Sequence, residues 1–429
     1  MGVQGDRIAY VGRRRDAPAG EDVDLGDALL MPGLVNAHCH LELTVMRGFL
    51  EDLDFRRWIL RLTTAKRAVL DRESLLDSAR FGIEEGLRAG VTTYADTCDS
   101  GVVLPAMRGA GVRGIMYQEV FGPDPSQCEM SMTDLREKVA ALRYLETSLV
   151  RVGISPHAPY TVSDALFRAA AKLAREQSLP MAIHIAEGEL EERLVVHGDG
   201  KFAEGLRNRG MDVRPRAATP VALLADLEVL DVAPLLIHCV RVNESDIAAI
   251  ARASCPVAHC PASNAKLGHG VAPLTELLAA GIVVGLGSDS MASNNRMDLL
   301  EEARLALLTQ RARSGSAETP SAQEVLELAT IGGARALGLD TEIGTLEVGK
   351  AADLAAFASD PTFPVLDPVS AAVFSVTGAR ATFVSVAGRP LVRDGKLLSP
   401  TAGLSSRVQS TAETLARWLA TDGELMVPV

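Results

Sequence analysis

Short β-branched or apolar runs alternate with longer stretches of helical periodicity through most of the chain. The pattern predicts strands at Leu30–His40, Gly90–Thr97, Val112–Val120, Val150–His157, Pro180–Glu187, Pro234–Val240, Ser254–Cys260 and Ile282–Asp289. Between them it predicts helices, among them Arg72–Ala89, Ser163–Gln177, Asn243–Ala253 and Pro273–Ala280. Strand and helix in alternation argue for an α/β fold of βα units around a parallel sheet. Eight such strands over about 260 residues suit a closed (β/α)8 TIM barrel better than an open sheet. No GxGxxG motif opens any of these units, which weakens the open-sheet alternative.

The two ends read differently. Gly5–Gly12 predicts a strand bounded by glycine, followed by a short run at Asp24–Leu29. After Leu339 the chain predicts short strands and turns at Gly344–Lys350, Ala352–Ala358, Ala381–Val386 and Arg389–Leu398. Residues 1–29 and 344–402 are therefore read as one small composite β-sandwich built from both termini, with the barrel (30–343) inserted between them. Residues 403–429 form a tail whose positions 405–420 have amphipathic helical spacing.

Composition narrows the function classes. The chain has 429 residues, 47% hydrophobic and 23% charged, which is globular and long enough to bury a large core. Its 43 Lys and Arg against 55 Asp and Glu give a net charge of −12, which disfavours nucleic acid or an acidic membrane as the main partner. The triplet Arg13-Arg14-Arg15 is too short to reverse that reading and is expected to be a solvated turn. No apolar run reaches the ~18 residues of a spanning helix, and the start carries no apolar signal core. The six cysteines show no CxxC pair, so free thiols in a reducing compartment, and a cytoplasmic protein, are expected.

The candidate chemistry lies at the predicted strand ends. In His38-Cys39-His40 the two histidines stand at i and i+2 and share one face of a strand, so both imidazoles can converge on one point, while Cys39 turns to the opposite face and packs. Alone, this motif is weak. His184, His238 and Asp289 then close the fifth, sixth and eighth predicted strands, the end at which barrel active sites open. Three imidazoles and a carboxylate with room for water suit a catalytic divalent metal.

The motifs Pro32-Gly33-Leu34-Val35-Asn36-Ala37-His38-Cys39-His40, Ser155-Pro156-His157-Ala158-Pro159-Tyr160, His184-Ile185-Ala186-Glu187, Cys260-Pro261-Ala262-Ser263-Asn264 and Gly287-Ser288-Asp289-Ser290 resemble the amidohydrolase superfamily, in its cytosine-deaminase-like and chlorohydrolase-like branch. The tail Ile343–Leu354 resembles that family's return to its β-sandwich, so the resemblance covers nearly the whole chain. It implies the same barrel with a composite sandwich. It also implies a metal held by His38, His40, His184 and Asp289, with His238 orienting the attacking water and Glu187 as the acid/base of the HxxE motif. The fourth strand offers Ile154-Ser155-Pro156-His157 and no lysine to bridge two metals, so one ion is implied, zinc or in some relatives iron. Such an ion lowers the pKa of its water from 15.7 to about 7. The resemblance then implies attack of hydroxide on a ring carbon bearing an amino group, Asp289 taking the water proton and Glu187 donating to the adjacent ring nitrogen, with release of ammonia. A ring-nitrogen donor is what separates an amino-heterocycle from a simple amide, and Glu187 tilts the reading to deamination.

The substrate is a small amino-heterocycle, with an adenine-type nucleoside expected. His157, Glu119, Gln118 and Glu42 are the candidate substrate contacts. His157 could equally be held by a turn between prolines, and Glu42 could be a solvated loop carboxylate. Either Glu119 or Gln118 lines the mouth, by alternation along the third strand. His197, His259 and His269 fit no ligand position and are read as surface or loop histidines, and Ser263 and Asn264 as shaping the seventh βα loop. Methylthioadenosine and S-adenosylhomocysteine deaminases hold the ribose with a glutamate where this chain has Arg67, preceded by Lys66, and carry an arginine near Gln118-Glu119 that is absent here. Tyr117–Val120, Pro159–Ser163 and His40-Leu41-Glu42 instead resemble aminodeoxyfutalosine deaminases. The rivals are triazine chlorohydrolase or alkylaminohydrolase chemistry, cyclic-amide opening, and a barrel that only binds. The N-terminus begins late for the family, so one sandwich strand is expected to be missing. Barrels of this kind are often homo-oligomers, though no stretch of the sequence marks an interface.

Overall fold

The computed structural model describes residues 1–359 and 364–421. Eight parallel strands form its centre, as two four-stranded sheets. The first comprises Leu34–Cys39, Val91–Cys98, Arg113–Val120 and Val150–Pro156, and the second Ala182–Ile185, Leu235–His238, Val257–His259 and Val284–Leu286. Parallel bridges Ile154↔Met181 and Cys39↔Asp289 join the sheets at both edges and close the ring. The fold is thus a (β/α)8 barrel carrying a small β-sandwich. Val35, Ala37, Ala95, Ile115, Tyr117, Ile237 and Ala258 fill the barrel interior, so it is packed rather than hollow.

The single strand predicted over Leu30–His40 is two strands meeting at Gly33. Ala28–Pro32 belongs to a five-stranded antiparallel sheet with Leu354–Ala358, Phe383–Val386, Arg389–Arg393 and Lys396–Leu397, whereas Leu34 opens the barrel. A Cβ on Gly33 would stand 2.2 Å from Thr92 Oγ1, so the crossing from sheet to barrel needs glycine there. A hairpin, Gly2–Gln4 with Arg7–Tyr10, lies against this sheet and buries Ile8 on Ala352 and Leu354. The predicted strand Gly344–Lys350 is a run of turns. Gly344 (φ 95) and Gly349 (φ 96) take left-handed conformations that an extended strand excludes.

Arg113 on the third barrel strand fastens the two units. Its Nε and Nη2 reach both carboxylate oxygens of Asp353 at 2.8 and 3.2 Å, a buried bidentate pair. The C-terminal helix Leu404–Thr421 packs on Arg72–Arg88, with Arg407 Nη2 3.0 Å from Asp77 Oδ1. Positions 422–429 of the predicted tail lie outside the described residues. Among the described residues no helix is long and apolar enough to cross a membrane.

Candidate active site

Strand alternation aims His38 and His40 from the first barrel strand at one point, and the ends of the fifth, sixth and eighth strands bring His184, His238 and Asp289 to it. Asp289 Oδ1 lies 3.3 Å from His38 Nε2 and 3.5 Å from His40 Nε2, and His184 Nε2 lies 3.4 Å from His40 Nε2. Ala186 (φ 51), His238 (φ 77), Cys239 (φ 46) and Asp289 (φ 56) all adopt left-handed backbone, so four strained non-glycine residues ring this one cluster. Strain of this kind persists where the surrounding structure over-determines a functional geometry.

The imidazoles are oriented from behind. His40 Nδ1 is 2.9 Å from the Thr97 carbonyl, His184 Nδ1 is 3.1 Å from the His157 carbonyl, and His238 Nδ1 is 2.9 Å from Asn264 Oδ1. A carbonyl only accepts, so each Nδ1 carries the proton and each Nε2 faces the cluster with a bare lone pair. Burial lowers the pKa of His38, brings His40 to about 3 and holds His184 well below its ordinary value, so these rings stay neutral. Burial works to raise Asp289, but the His38 contact leads the opposing influences that hold its pKa well below the ordinary carboxylate value. Ser263 Oγ at 2.5 Å and Ser293 Oγ at 3.2 Å donate to its Oδ2, and the Ser290 amide donates to Oδ1 at 2.7 Å.

This donor set fits a divalent ion. Two bare imidazole lone pairs 3.4 Å apart repel unless a cation lies between them, and the buried His38 Nε2 has no hydrogen-bond partner of its own. His38, His40 and His184 form one group that could hold a metal, and His38, His238 and Asp289 a second that shares His38. Nitrogen and carboxylate ligands in this number suit zinc.

Glu187 is buried beside the cluster, its Oε1 3.7 Å from His238 Nε2 and 3.3 Å from His269 Nε2, with Tyr160 Oη 3.4 Å from Oε2. Burial pushes its pKa up, and His238 and His269 together pull it below the ordinary value. Glu191 caps the segment, accepting the amides of Ala186 and Glu187 at 2.9 and 2.8 Å.

The other candidates divide. Glu119 faces the mouth, in a group with His157 and His184 whose ligand atoms all lie within 4.8 Å of one another. Its Oε1 is buried without a partner. Gln118, one residue earlier, is turned away by the same alternation and donates to the Asp99 carbonyl at 2.9 Å, so it is not part of the site. Glu42 is not a solvated loop group: it is buried, with Lys66 on one carboxylate oxygen and Ser100 on the other, and Lys66 also pairs with Asp99. On the helix Phe55–Val69 it is Lys66 that turns inward, while Arg67 is exposed. The reason is helical phase, because Trp58, Leu62 and Ala65 form the buried stripe and position 66 lies at its edge.

His259 departs from the expectation of a surface or loop position, and His269 meets it without being exposed. His259 is buried on the seventh strand with neither ring nitrogen hydrogen-bonded. His269 lies in a loop, as expected, but its side chain is only 5% exposed and faces Glu187. The glycines on both sides of His269 were the available signal for an inward-turned loop residue. His197 is exposed, as expected.

Residues 29–396 match the sequence model of the Amidohydrolase family. The chain is 34% identical over 410 residues to a 5-methylthioadenosine/S-adenosylhomocysteine deaminase from Moorella thermoacetica, covering 92% of this chain and 90% of that one. It superposes with a TM-score of 0.81 on an adenosine deaminase from Xanthomonas campestris with bound zinc, at 29% identity over 91% of this chain and 87% of the other. It superposes at 0.80 on a zinc complex of atrazine chlorohydrolase from Arthrobacter aurescens, at 25% identity over 96% and 94% of the two chains. A family match over most of the length and a barrel mouth of this composition lead to one conclusion: the chain belongs to the amidohydrolase family and is a hydrolase of carbon–nitrogen bonds other than peptide bonds.

Proposed function

We propose that this protein is a metal-dependent deaminase of adenine-type nucleosides, with His38, His40, His184 and Asp289 holding one ion, zinc in this reading. The observation that carries it is Glu187: a buried carboxylate outside the ligand set, 3.7 Å from His238, where a ring nitrogen can receive its proton. A bound divalent ion supplies a water that is nucleophilic at neutral pH. The resemblance implied that Asp289 takes the water proton, but Glu187, its pKa below the ordinary value, rests ionised and is the better acceptor. It takes the first proton of the attacking water and passes it to the ring nitrogen beside the aminated carbon. Asp289 takes the second proton, from the new hydroxyl, and hands it to the amino group. The carbon–nitrogen bond breaks, ammonia leaves and a ring carbonyl remains. His238, locked by Asn264, presents Nε2 to the added oxygen throughout, and Glu119 and His157 form the adjoining wall for the rest of the substrate.

The names of the relatives support an adenine nucleoside. Within that class the short local likenesses favour aminodeoxyfutalosine, and Arg67 at the place of a ribose-binding glutamate, exposed and with Lys66 before it turned inward, argues against methylthioadenosine and S-adenosylhomocysteine. The test is ammonia release by zinc-loaded protein across adenosine, 5′-deoxyadenosine, methylthioadenosine, S-adenosylhomocysteine, aminodeoxyfutalosine, guanine and aminotriazines. Release confined to adenine nucleosides is expected. The likeness to the atrazine enzyme supports a second reading, and chloride or alkylamine released from a triazine, without ammonia from any nucleoside, would establish it.

A further inference from the structure

We propose that His269 is a positioning residue that holds the Glu187 carboxylate, and that Gly188 is glycine to admit its ring; the proposal rests on the reading of Glu187 as proton carrier. His269 lies between Gly268 (φ 72) and Gly270 (φ 108), two left-handed positions that turn the loop inward. Its amide donates to the carbonyl of Asn264 at 2.9 Å, the same residue whose side chain orients His238. The ring meets Phe55 edge-on, centroids 4.6 Å apart, and its buried Nε2, which has no hydrogen bond to any described group, stands within ion-pair distance of Glu187 Oε1 at 3.3 Å. A Cβ on Gly188 would lie 2.6 Å from His269 Nδ1 and 3.0 Å from Cε1, so any side chain at position 188 displaces the imidazole.

A buried carboxylate without partners is costly and free to rotate. Here Tyr160 approaches Oε2 and His269 approaches Oε1, so the carboxylate is gripped from both oxygens while it shuttles a proton. If His269 only filled space above Phe55, any ring of similar size would serve. If it holds Glu187, an N–H at that place is required.

The experiment measures kcat and KM of the zinc-loaded protein on the nucleoside that the wild type turns over fastest. His269→Phe is expected to lower kcat at least ~10-fold with KM changed less than about two-fold, and His269→Gln, which restores an N–H donor, to recover part of the loss. Gly188→Ala is expected to reproduce His269→Phe, and the double variant to be no worse than either. A His269→Phe enzyme within about two-fold of wild-type kcat, or a loss expressed in KM alone, would overturn the proposal. Should the wild type release no ammonia from any adenine nucleoside, the functional reading fails separately. The contact is then decided by a thermal-unfolding cycle of Glu187→Ala and His269→Phe, where strictly additive Tm shifts sink it and a double variant less destabilised than their sum sustains it.

Discussion

Asn264 determines which nitrogen of His238 faces the reaction: its side-chain oxygen lies 2.9 Å from Nδ1 and so leaves Nε2 unprotonated toward Glu187. Replacing Asn264 by Leu removes the acceptor and releases the tautomer. Turnover should fall about 10- to 100-fold, the usual effect of removing such a supporting partner, while zinc content stays near that of the wild type. Undiminished turnover in Asn264→Leu would show that another group orients the ring.

Glu187 and His184 should separate chemistry from metal binding. Glu187→Gln keeps the shape and the zinc and should lose at least ~100-fold in kcat. His184→Ala should lose zinc by elemental analysis and with it the rise in Tm that zinc gives the stripped wild type. Full zinc occupancy in His184→Ala would contradict its place among the ligands.

Lys66 neutralises a wall of carboxylates. Burial tends to lower its pKa, but Glu42 and Asp99 outweigh that and hold the ammonium charged far above the usual range. Lys66→Met strands Glu42, 2% exposed, as a buried acid without a counter-ion and with Ser100 still on one oxygen, a change that costs about 3–5 kcal/mol. Adding Glu42→Gln should recover most of that loss in urea unfolding. No recovery would mean that the packing of the lysine stem, rather than its charge, is what matters.

Acid should destabilise the metal-free protein from about pH 6.5 downward through its buried histidines. Burial holds His40 and His259 at about 3 and His157 at about 4. The unfolded chain protonates these rings below about 6.5. Between the two values the unfolded state binds more protons, so stability falls as pH drops from about 6.5 toward 3, by on the order of a few kcal/mol per ring. Urea midpoints of chelator-treated protein at descending pH measure the slope. His259→Asn, which does not titrate, should flatten it by one proton's worth; an unchanged slope would remove His259 from the account.

The barrel was legible because its strands are short runs rich in apolar and β-branched residues set between helical patterns, and because two-residue alternation alone carries His38 and His40 to one face. It was also enough to leave either Glu119 or Gln118 at the mouth, though not to choose between them without knowing the exact register of Arg113–Val120. His269 was not legible in this way. Its inward turn depends on space that Gly188 leaves at the end of a different strand and on Phe55 at the start of the helix Phe55–Val69, neither of which is local in sequence. The split at Gly33 was missed because Leu30–Met31 and Leu34–Val35 read as one apolar run across Pro32-Gly33, and the need for a glycine there comes from the approach of Thr92.

The composite sheet also sets the order of assembly during synthesis. Ala28–Pro32, which leads directly into the strand bearing His38 and His40, pairs with Leu354–Ala358, made more than 300 residues later. Asp289 likewise reaches the first strand only through the closing bridge to Cys39. The ribosome therefore releases most of the chain before its opening segment has a partner. Such long-range closure is slow and leaves strand edges bare meanwhile. A half-made chain holds the His-x-His pair without its carboxylate, and a nascent polypeptide truncated before Asp289 should capture zinc far more weakly than the finished protein.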